Sequence, residues 1–407
     1  MINTPKGLRL HIGVFGRRNV GKSSILNKLV NQDISIVSDT PGTTTDPVEK
    51  VMELKPIGPV VFIDTAGIDD IGTLGQSRID KTYKVFDRTE LAILVTDNWT
   101  VYEEKILAVL GEKSIPVIIA ANKSDLRSDM NLEQTIKDNK LEYYVTTDAL
   151  SGKGIDRLRN MLSEVTPRDF INEPNIIADL VKPENTVVLV TPIDIEAPKG
   201  RLKMLQVHCA REILDSNAYC IITKETELGS VLSNLKYMPD LVVCDSQIVN
   251  QVMQIIDKDV NVTTFSILMA RYKGDFHALI AGAQAIDKLV PGDNILIAEA
   301  CSHHPIGDDI GRVQIPNLLK EYVGGELNID VTAGRDFPEN LGNYKLVIHC
   351  GGCIFNRKEV LSRIEKAASQ NVPVTNYGIA IGYLNDSLER LLLPFKDVMV
   401  PDLAKKD

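Results

Sequence analysis

The residues with the clearest chemistry form a phosphate-binding pattern between Gly16 and Ser23. The sequence Gly-Arg-Arg-Asn-Val-Gly-Lys-Ser matches the pattern G-x-x-x-x-G-K-S/T. The glycines let the backbone curl so that its N–H groups face an anion. The Lys22 ammonium can reach the β- and γ-phosphates, and the Ser23 hydroxyl can bind Mg²⁺. The residues expected to contact a nucleotide here are Arg18, Asn19, Val20, Gly21, Lys22, Ser23 and Ser24.

A strand and a helix must hold this loop. Residues 8–15 are typical of a buried strand, and residues 23–30 have the periodicity of a helix. A second apolar run, residues 60–63, ends in the sequence from Asp64 to Gly67. The Asp64 carboxylate can hold Mg²⁺ through water, and the Gly67 N–H can donate to the γ-phosphate.

The identity of the base is predicted from a loop that follows another apolar run. Residues 116–121 read as a strand and are followed by Asn-Lys-Ser-Asp at 122–125, which matches the N-K-x-D pattern of GTPases. The Asp125 carboxylate can accept hydrogen bonds from two N–H groups of guanine, and adenine does not supply these groups. The pattern therefore favours a guanine nucleotide.

A further loop, residues 147–150, fits the last guanine contact of GTPases. Asp148 stands where these proteins usually have serine, so only the backbone contact of Ala149 is carried over directly. All of these elements occur in the order and at the spacing of a GTPase, which predicts hydrolysis of GTP to GDP and phosphate. Beyond the first loop, the residues expected to bind the nucleotide are Asp64, Gly67, Asn122, Lys123, Asp125, Ala149 and Leu150.

The predicted catalytic residues stabilise charge on the phosphates or hold Mg²⁺. They are Lys22, Ser23, Thr44 and Asp64. Thr44 is favoured as the threonine that joins Ser23 on Mg²⁺, with Thr43 as the alternative. Ile68 stands where Ras-like enzymes have the glutamine that orients water, so no residue is assigned to the attacking water.

Residues 16–24 and 42–46 resemble the branch of GTPases that includes tRNA-modifying and ribosome-assembly enzymes. In the potassium-activated members of this branch, an asparagine at the position of Asn19 helps to hold K⁺ against the phosphates. The cation would supply positive charge at the transition state. The alternative is an asparagine whose side-chain amide only stabilises the loop.

The composition limits the class of protein. The chain has 407 residues, whereas one GTPase domain needs about 170, so two or three domains are expected. A formal net charge of −10 is unfavourable for a broad nucleic-acid surface. Because no run approaches the ~18 apolar residues of a membrane span and no signal-peptide pattern is seen, we expect a soluble, cytoplasmic protein without membrane or nucleic-acid partners.

Alternating strand and helix patterns predict three α/β domains. A GTP-binding domain is expected at residues 1–170. Residues 171–262 have a core but no catalytic cluster, which favours an interaction or dimerisation domain. Residues 263–407 have the alternation of a parallel sheet with helices on its faces, including helices predicted at 276–289 and 379–391. The six cysteines lack disulfide spacing, and three of them lie in apolar runs where burial is expected; these are Cys209, Cys220 and Cys244.

The other three cysteines follow two strands of that last sheet. Cys301 and His303 come just after one strand, and His349, Cys350 and Cys353 come at the end of another. Ligands bind at the carboxyl ends of strands in open α/β sheets, so the two loops are expected to converge. Three thiolates in one crevice predict a metal or cluster site. Three cysteines with one histidine would suit zinc, and three cysteines alone would hold a [4Fe–4S] cluster.

The spacing of these residues is similar to a known motif. Cys-x-His, 45 further residues and His-Cys-x-x-Cys resemble the cluster motif of the [FeFe]-hydrogenase maturation GTPases, the HydF family, over essentially the whole chain. The resemblance implies GTP-binding, dimerisation and cluster-binding domains and a homodimer formed through the central domain. It also implies a scaffold and carrier for a di-iron subcluster precursor. Its partners would be apo-[FeFe]-hydrogenase and radical S-adenosylmethionine maturases.

At the matching positions, the resemblance implies that Cys301, Cys350 and Cys353 hold the [4Fe–4S] cluster. His303 and His349 match the motif's histidines, and each is a candidate for the fourth ligand or for a hydrogen bond beside the cluster. Further candidates for a replaceable fourth ligand are the nearby carboxylates Glu299 and Asp308.

Two other functions stay open on the sequence. The first is a tRNA-modifying or ribosome-assembly type GTPase with a structural zinc site, which the acidic net charge disfavours. The second is a regulatory GTP switch whose cysteines only stabilise the fold. Cysteine variants that fold but fail to activate hydrogenase would exclude the second.

Overall fold

The structure is a computed structural model, and the residues it describes are 4–31, 47–69, 73–124, 141–172, 174–192, 202–300 and 309–399. The chain divides into two compact units, Met1–Glu173 and Pro174–Asp407. Both units are α/β, which confirms the predicted fold class. Within the described residues, no helix is long and apolar enough to cross a membrane.

The first unit contains one six-stranded sheet. Its strands are β1 (Leu10–Phe15), β2 (Val48–Leu54), β3 (Gly58–Asp64), β4 (Leu91–Thr96), β5 (Val117–Ala121) and β6 (Tyr144–Thr146). Its described helices are α1 (Lys22–Asn31), α2 (Thr73–Phe86), α3 (Val101–Glu112), α4 (Ile155–Val165) and α5 (Arg168–Ile171). The strand order is β2-β3-β1-β4-β5-β6, and β2 alone among these strands is antiparallel to its neighbour.

The middle of this sheet is apolar because helices cover both of its faces. Every residue of β1 and β4 is buried, as expected for strands of a covered parallel sheet. Two separate apolar clusters form the core, one including Leu26 and Leu158 and the other including Phe86 and Leu110. Parallel strands place their carboxyl ends at one edge, so the loops after β1, β3 and β5 share that edge.

The second unit contains two four-stranded sheets. Its strands are β7 (Thr186–Val190), β8 (Tyr219–Thr223), β9 (Leu241–Cys244), β10 (Asn261–Thr264), β11 (Asn294–Ala298), β12 (Asn328–Thr332), β13 (Leu346–His349) and β14 (Val374–Asn376). Its described helices are α6 (Met204–Asp215), α7 (Leu228–Asn234), α8 (Val249–Ile255), α9 (Phe265–Lys273), α10 (Phe276–Ala283), α11 (Ile315–Val323), α12 (Arg357–Ser369), α13 (Tyr377–Leu384), α14 (Leu388–Leu392) and α15 (Lys396–Met399).

All strand pairs of the second unit are parallel. The central sheet has the order β10-β9-β7-β8, and the C-terminal sheet has the order β12-β11-β13-β14. Strands β11 and β13 are neighbours, with Ala298 paired to His349. The two strands that precede the cysteine motifs therefore end side by side, on one edge of the sheet as the sequence predicts.

Some local predictions differ from the structure. The helix predicted at 276–289 ends at Ala283 and continues as a 3-10 helix, Gln284–Lys288. The helix predicted at 379–391 is wrong as a single element, because α13 ends at Leu384 and α14 begins at Leu388. Asp386 between them has a φ of 50°, which a helix does not accommodate. Strand β10 and helix α9 were not anticipated, and the predicted 262/263 domain boundary falls within β10.

Candidate functional site

The phosphate-binding pattern forms the loop between β1 and α1. Gly16 and Gly21 have φ values of 143° and 100°, a region that favours glycine. A Cβ atom at Gly21 would collide with the Asn122 side chain. The Asn122 Nδ2 donates to the Val20 carbonyl at 2.9 Å. The predicted phosphate loop and the predicted guanine loop are therefore in direct contact.

The Lys22 side chain is buried inside this loop. Its Nζ donates to the Arg17 carbonyl at 2.8 Å and to the Gly16 carbonyl at 3.2 Å. The ammonium is thus held where it can meet the phosphate groups of a nucleotide. Asn19, the candidate K⁺ residue, lies in the same loop with a φ of 61°.

Ser23 and Asp64 form the pair predicted to hold Mg²⁺. The Ser23 Oγ donates to the Asp64 Oδ2 at 2.5 Å. The second carboxylate oxygen, Oδ1, is buried and has no hydrogen-bond partner among the described residues. Burial raises the pKa of Asp64, since it disfavours the charged form. A hydroxyl beside a carboxylate supplies the oxygen ligands that Mg²⁺ prefers, so the pair suits a divalent cation.

Gly67 packs against the phosphate loop. A Cβ atom at Gly67 would lie 2.6 Å from the Arg18 nitrogen and 2.8 Å from Asp69 Oδ1. The Arg18 N–H donates to that same Asp69 oxygen at 2.6 Å. The segment after β3 therefore contacts the loop directly. Asp69 was not singled out from the sequence.

The guanine loops are held together by Asn122. Its Oδ1 accepts from the Ala149 N–H at 3.1 Å and from the Thr147 hydroxyl at 3.3 Å. Asp148, which stands in place of the usual serine, accepts from the Leu150 N–H at 2.8 Å. Asp148 therefore stabilises the turn that contains the predicted nucleotide-binding backbone.

The pKa of Asp148 is held below its usual value. The Ser151 hydroxyl and the Leu150 N–H both donate to its carboxylate and favour the charged form. The substitution for serine thus brings a local turn function that sequence analysis did not foresee. The sequence signal for this turn was the short polar side chain of Asp148 shortly before Gly152, a combination typical of turns.

One ion-pair network of this unit was missed by the sequence analysis. The Arg17 Nη2 lies 2.8 Å from Asp97 Oδ1, and its Nε lies 2.8 Å from Glu103 Oε1. The other Asp97 oxygen lies 2.7 Å from Lys123 Nζ. Asp97 thus connects the phosphate loop to the predicted guanine-binding Lys123. Its place directly after an apolar strand was the signal that could have found it.

Several predicted residues lie outside the described part of the chain. They are Thr43, Thr44, Asp125, Cys301, His303 and Asp308. Five residues after Gly67 are predicted to bind the guanine nucleotide, and the described residues include four of them. They also include two of the three cysteines predicted to hold the cluster.

Cys350 follows β13 and its sulfur contacts the end of β11. The Cys350 N–H donates to the Ala298 carbonyl at 3.0 Å. The Cys350 Sγ accepts from the Ala300 N–H at 3.0 Å and from the Gly352 N–H at 3.4 Å. Ala300 directly precedes Cys301 in the sequence. The two cysteine loops therefore start at the same end of the sheet.

The turn from Cys350 to Cys353 depends on a glycine. Gly352 has a φ of 61°, and a Cβ atom there would lie 3.0 Å from Val360 Cγ2. An overlapping second turn, residues 352–355, is closed by a hydrogen bond from the Phe355 N–H to the Gly352 carbonyl at 3.0 Å. Cys353 is exposed on this turn and Cys350 is half-buried.

His349 is a buried neutral imidazole with both ring nitrogens engaged. Its Nδ1 lies 2.7 Å from the Cys350 carbonyl, and the Arg363 Nη1 lies 3.3 Å from its Nε2. A guanidinium only donates, so Nε2 accepts and Nδ1 carries the proton. Burial and the Arg363 charge lower the pKa of His349 to about 3. These contacts favour a supporting role beside the cysteines over ligation of a metal.

The described residues do not by themselves complete a metal site. Among them, no group of three or more His, Cys, Asp or Glu side chains is arranged to hold a metal ion, and the third predicted thiol is outside the described range. Glu299 is buried and pairs with Arg312 at 3.1 Å. In the central sheet region, Cys209 and Cys244 are buried as predicted and Cys220 is half-buried.

Three family models match successive parts of the chain. A 50S ribosome-binding GTPase model matches residues 11–123. The hydrogen maturase F dimerization domain matches residues 176–274, and the hydrogen maturase F tetramerization domain matches residues 277–394. The last two models together cover more than half of the chain.

Curated relatives match a part of the chain. The tRNA modification GTPase MnmE of Prochlorococcus marinus (strain NATL1A) is 41% identical over 158 residues, which cover 38% of this chain and 34% of that protein. GTPase Der of Wolinella succinogenes is 36% identical over 168 residues, covering 38% of this chain and 36% of that protein. The chain thus spans about a third of the length of these relatives.

A solved structure of Era from Aquifex aeolicus is 20% identical to this chain, and the match covers 60% of this chain and 97% of Era. Its TM-score of 0.33 is too low to inform on function. The family models are decisive. Residues 11–123 form a P-loop GTPase domain, and two hydrogen maturase F domains follow it. The chain therefore belongs to the hydrogen maturase F (HydF) family.

Proposed function

We propose that this protein is a GTP-hydrolysing scaffold and carrier that assembles a di-iron subcluster precursor and delivers it to apo-[FeFe]-hydrogenase. One observation carries the proposal: the Cys350 Sγ lies 3.0 Å from the nitrogen of Ala300. Cys301 is the next residue, and consecutive Cα atoms are about 3.8 Å apart. The chain can therefore bring Cys301 to the turn that carries Cys350 and Cys353.

The nucleotide half of the proposal assigns the following roles. Lys22 neutralises charge on the β- and γ-phosphates, and Ser23, Asp64 and Thr44 hold Mg²⁺. The buried Asp64 Oδ1 without a hydrogen-bond partner among the described residues is the observation that supports the cation. Asn19 contributes to a K⁺ site. The guanine-binding contacts come from Lys123, Asp125 and the backbone of Ala149 and Leu150, and Asn122 orients these loops.

The cysteine half assigns Cys301, Cys350 and Cys353 as ligands of a [4Fe–4S] cluster. The surroundings of Cys350 suit a cluster ligand. Two backbone N–H groups point at its sulfur, and such hydrogen bonds stabilise thiolate ligands. When bound there, the cluster would supply an iron with an exchangeable coordination position. His349 then orients the turn through the Cys350 carbonyl, and Arg363 fixes its tautomer.

The proposed homodimer forms through the central domain. Strand β8 is at the edge of the described central sheet, and two of its apolar side chains are exposed, Tyr219 at 61% and Ile222 at 42%. An exposed apolar edge strand is a template for pairing with another chain. The adjacent helix α6 adds the exposed Val207 and Leu214. A second copy of this chain is the occupant that fits, since residues 176–274 match a dimerization domain.

Ile222→Lys is expected to weaken this dimer about tenfold or more, equivalent to roughly 1.4 kcal/mol. A lysine on an edge strand opposes strand pairing, and a twofold interface would contain it twice. Sedimentation velocity across a dilution series measures the change. Ile255→Lys is the matched control, because Ile255 is also 42% exposed but lies on α8. Equal dimerisation of both variants and the unmodified protein would contradict the β8 interface.

The proposed function is tested by anaerobic reconstitution with iron and sulfide. We expect about four iron and four sulfide per chain and absorbance near ~400 nm. The loaded protein, prepared with the maturases, is then mixed with apo-hydrogenase, and hydrogen evolution is measured. Binding of one zinc without iron uptake would favour a structural zinc site instead. A loaded protein that never activates hydrogenase would contradict the carrier role.

A further inference from the structure

Lys273 packs against residues 350–355, which carry Cys350 and Cys353 and are called the cysteine turn below. It is the last residue of α9, and only 1% of its surface is exposed. Its Nζ donates to the carbonyls of Gly352 at 3.2 Å and Cys353 at 3.4 Å, and also to the carbonyl of Phe355. One side chain therefore joins three carbonyls of a turn that is 79 to 82 residues away in the sequence.

The three acceptors indicate the protonated form of this lysine. An ammonium group has three N–H donors and no acceptor, whereas a neutral amine has only two N–H donors. A full positive charge is thus buried under the turn. Burial of a charge is costly unless hydrogen bonds compensate it, and the three carbonyls supply that compensation.

A second buried cation, Arg363, contacts the residue that precedes the turn. Its Nη1 lies 3.3 Å from His349 Nε2, and its Nη2 donates to the Gly334 carbonyl at 2.7 Å. The guanidinium also lies over the rings of Phe355 and Phe337, 4.3 Å and 4.9 Å from their centroids. Two buried cations, Lys273 and Arg363, therefore lie close to the cysteine turn.

We propose that Lys273 is a positioning residue for an anionic metal cluster held by this turn, an inference that rests on the proposed cluster site. Its hydrogen bonds fix the backbone that presents Cys353. Its charge offsets the negative charge of the thiolates, and such an interaction is stronger in a buried site than in water. A reduced cluster carries one more negative charge than an oxidised one, so a nearby cation favours reduction.

The experiment compares two variants of this lysine. Lys273→Met removes the N–H donors and the charge, and Lys273→Gln keeps a donor while removing the charge. Lys258→Met is the matched control, because Lys258 is an exposed lysine between α8 and β10. Each full-length protein is reconstituted anaerobically with iron and sulfide. Iron release to a chelator and the reduction potential of the cluster are measured, and thermal unfolding of the apo proteins checks the fold.

We expect Lys273→Met to release iron about tenfold faster than the unmodified protein, since partners that orient metal ligands contribute about 10–100-fold to affinity. Its cluster should also have a more negative potential. Lys273→Gln should release iron more slowly than the methionine variant but retain the more negative potential. The Lys258→Met control should match the unmodified protein in both measurements.

A folded Lys273→Met protein with unchanged iron release and unchanged potential would overturn the inference. If that variant does not fold, Lys273→Gln decides, and an unchanged potential in the glutamine variant would overturn the role of the charge. Another outcome would count against the proposed cluster site itself and not only against the role of Lys273. Failure of the unmodified protein to take up any iron–sulfur cluster would overturn the cluster site itself, and this inference with it.

Discussion

Lys22→Ala should lower kcat for GTP hydrolysis by about 10²–10³-fold, the loss seen when one donor that stabilises transition-state charge is removed. Phosphoryl transfer depends almost entirely on positioning and charge stabilisation, and Lys22 is buried inside the phosphate loop among the carbonyls of Gly16 and Arg17. Alanine removes the ammonium without changing the glycines that shape the loop. Phosphate release at saturating GTP, with Mg²⁺ and K⁺ present, measures the effect.

The control for this prediction is Lys105→Ala, because Lys105 is exposed on α3 in the same unit. The control should hydrolyse GTP at the unmodified rate. Far-ultraviolet circular dichroism is needed for Lys22→Ala, since its side chain is buried and its loss affects packing. A folded Lys22→Ala protein that turns over GTP normally would contradict the assigned role.

The same variant tests whether the two proposed chemistries are coupled. GTP is expected to order the segments that contain Thr44 and Gly67, and this ordering would change the affinity for a partner. Gly67 already packs on the phosphate loop beside Arg18. If Lys22→Ala abolishes GTP turnover but leaves partner exchange and hydrogenase activation intact, the coupling proposal is wrong.

The nucleotide loops can be predicted from sequence because each is a short pattern directly after an apolar strand. The phosphate loop follows β1, Asp64 ends β3, and Asn122 follows β5. Parallel strands bring these ends to one edge of the sheet, so local patterns and one topological rule suffice. The same rule predicts that the loops after β11 and β13 open on one edge of the sheet, and the structure adds that the two strands are neighbours, with Ala298 paired to His349.

Contacts between distant charged residues cannot be predicted in this way. Arg17 pairs with Asp97 and Glu103, 80 and 86 residues away. A chain with 45 basic and 55 acidic residues offers many alternative pairs, and only the packed structure selects among them. The tautomer of His349 is another example, because it follows from the position of Arg363 on α12.

Helix ends were predicted less well, because apolar periodicity does not reveal a short polar turn between two helices. The apolar pattern continues from α13 into α14, so periodicity alone favours one helix. The break depends on Asp386, whose φ of 50° ends the helical backbone, and on the Ser387 N–H, which donates to the Gly382 carbonyl at 2.9 Å. This is a local turn at the end of a helix, and its sequence signal is the polar run from Asn385 to Ser387, because Asn and Asp tolerate the left-handed conformation.

Cys350→Ser should reduce the iron bound after reconstitution from about four to less than about one per chain, because these clusters are held by thiolates. The hydroxyl oxygen of serine is a poor substitute for the sulfur toward cluster iron. It can still accept the N–H groups of Ala300 and Gly352 that now point at the Cys350 Sγ. The turn should therefore keep its conformation. Iron and sulfide analysis with electron paramagnetic resonance measures the loss.

Cys220→Ser is the matched control, because Cys220 is also half-buried but lies on β8 in the other sheet of the same unit. It should take up iron normally. The thermal midpoint of the apo proteins then shows whether Cys350 is a cluster ligand or only stabilises the fold. If Cys350 is a ligand, Cys350→Ser should melt within about 4 °C of the unmodified protein, a change of roughly 1 kcal/mol, and yet bind no cluster. If the cysteine only stabilises the fold, the same variant should unfold at a much lower temperature, and the cluster assignment would be wrong.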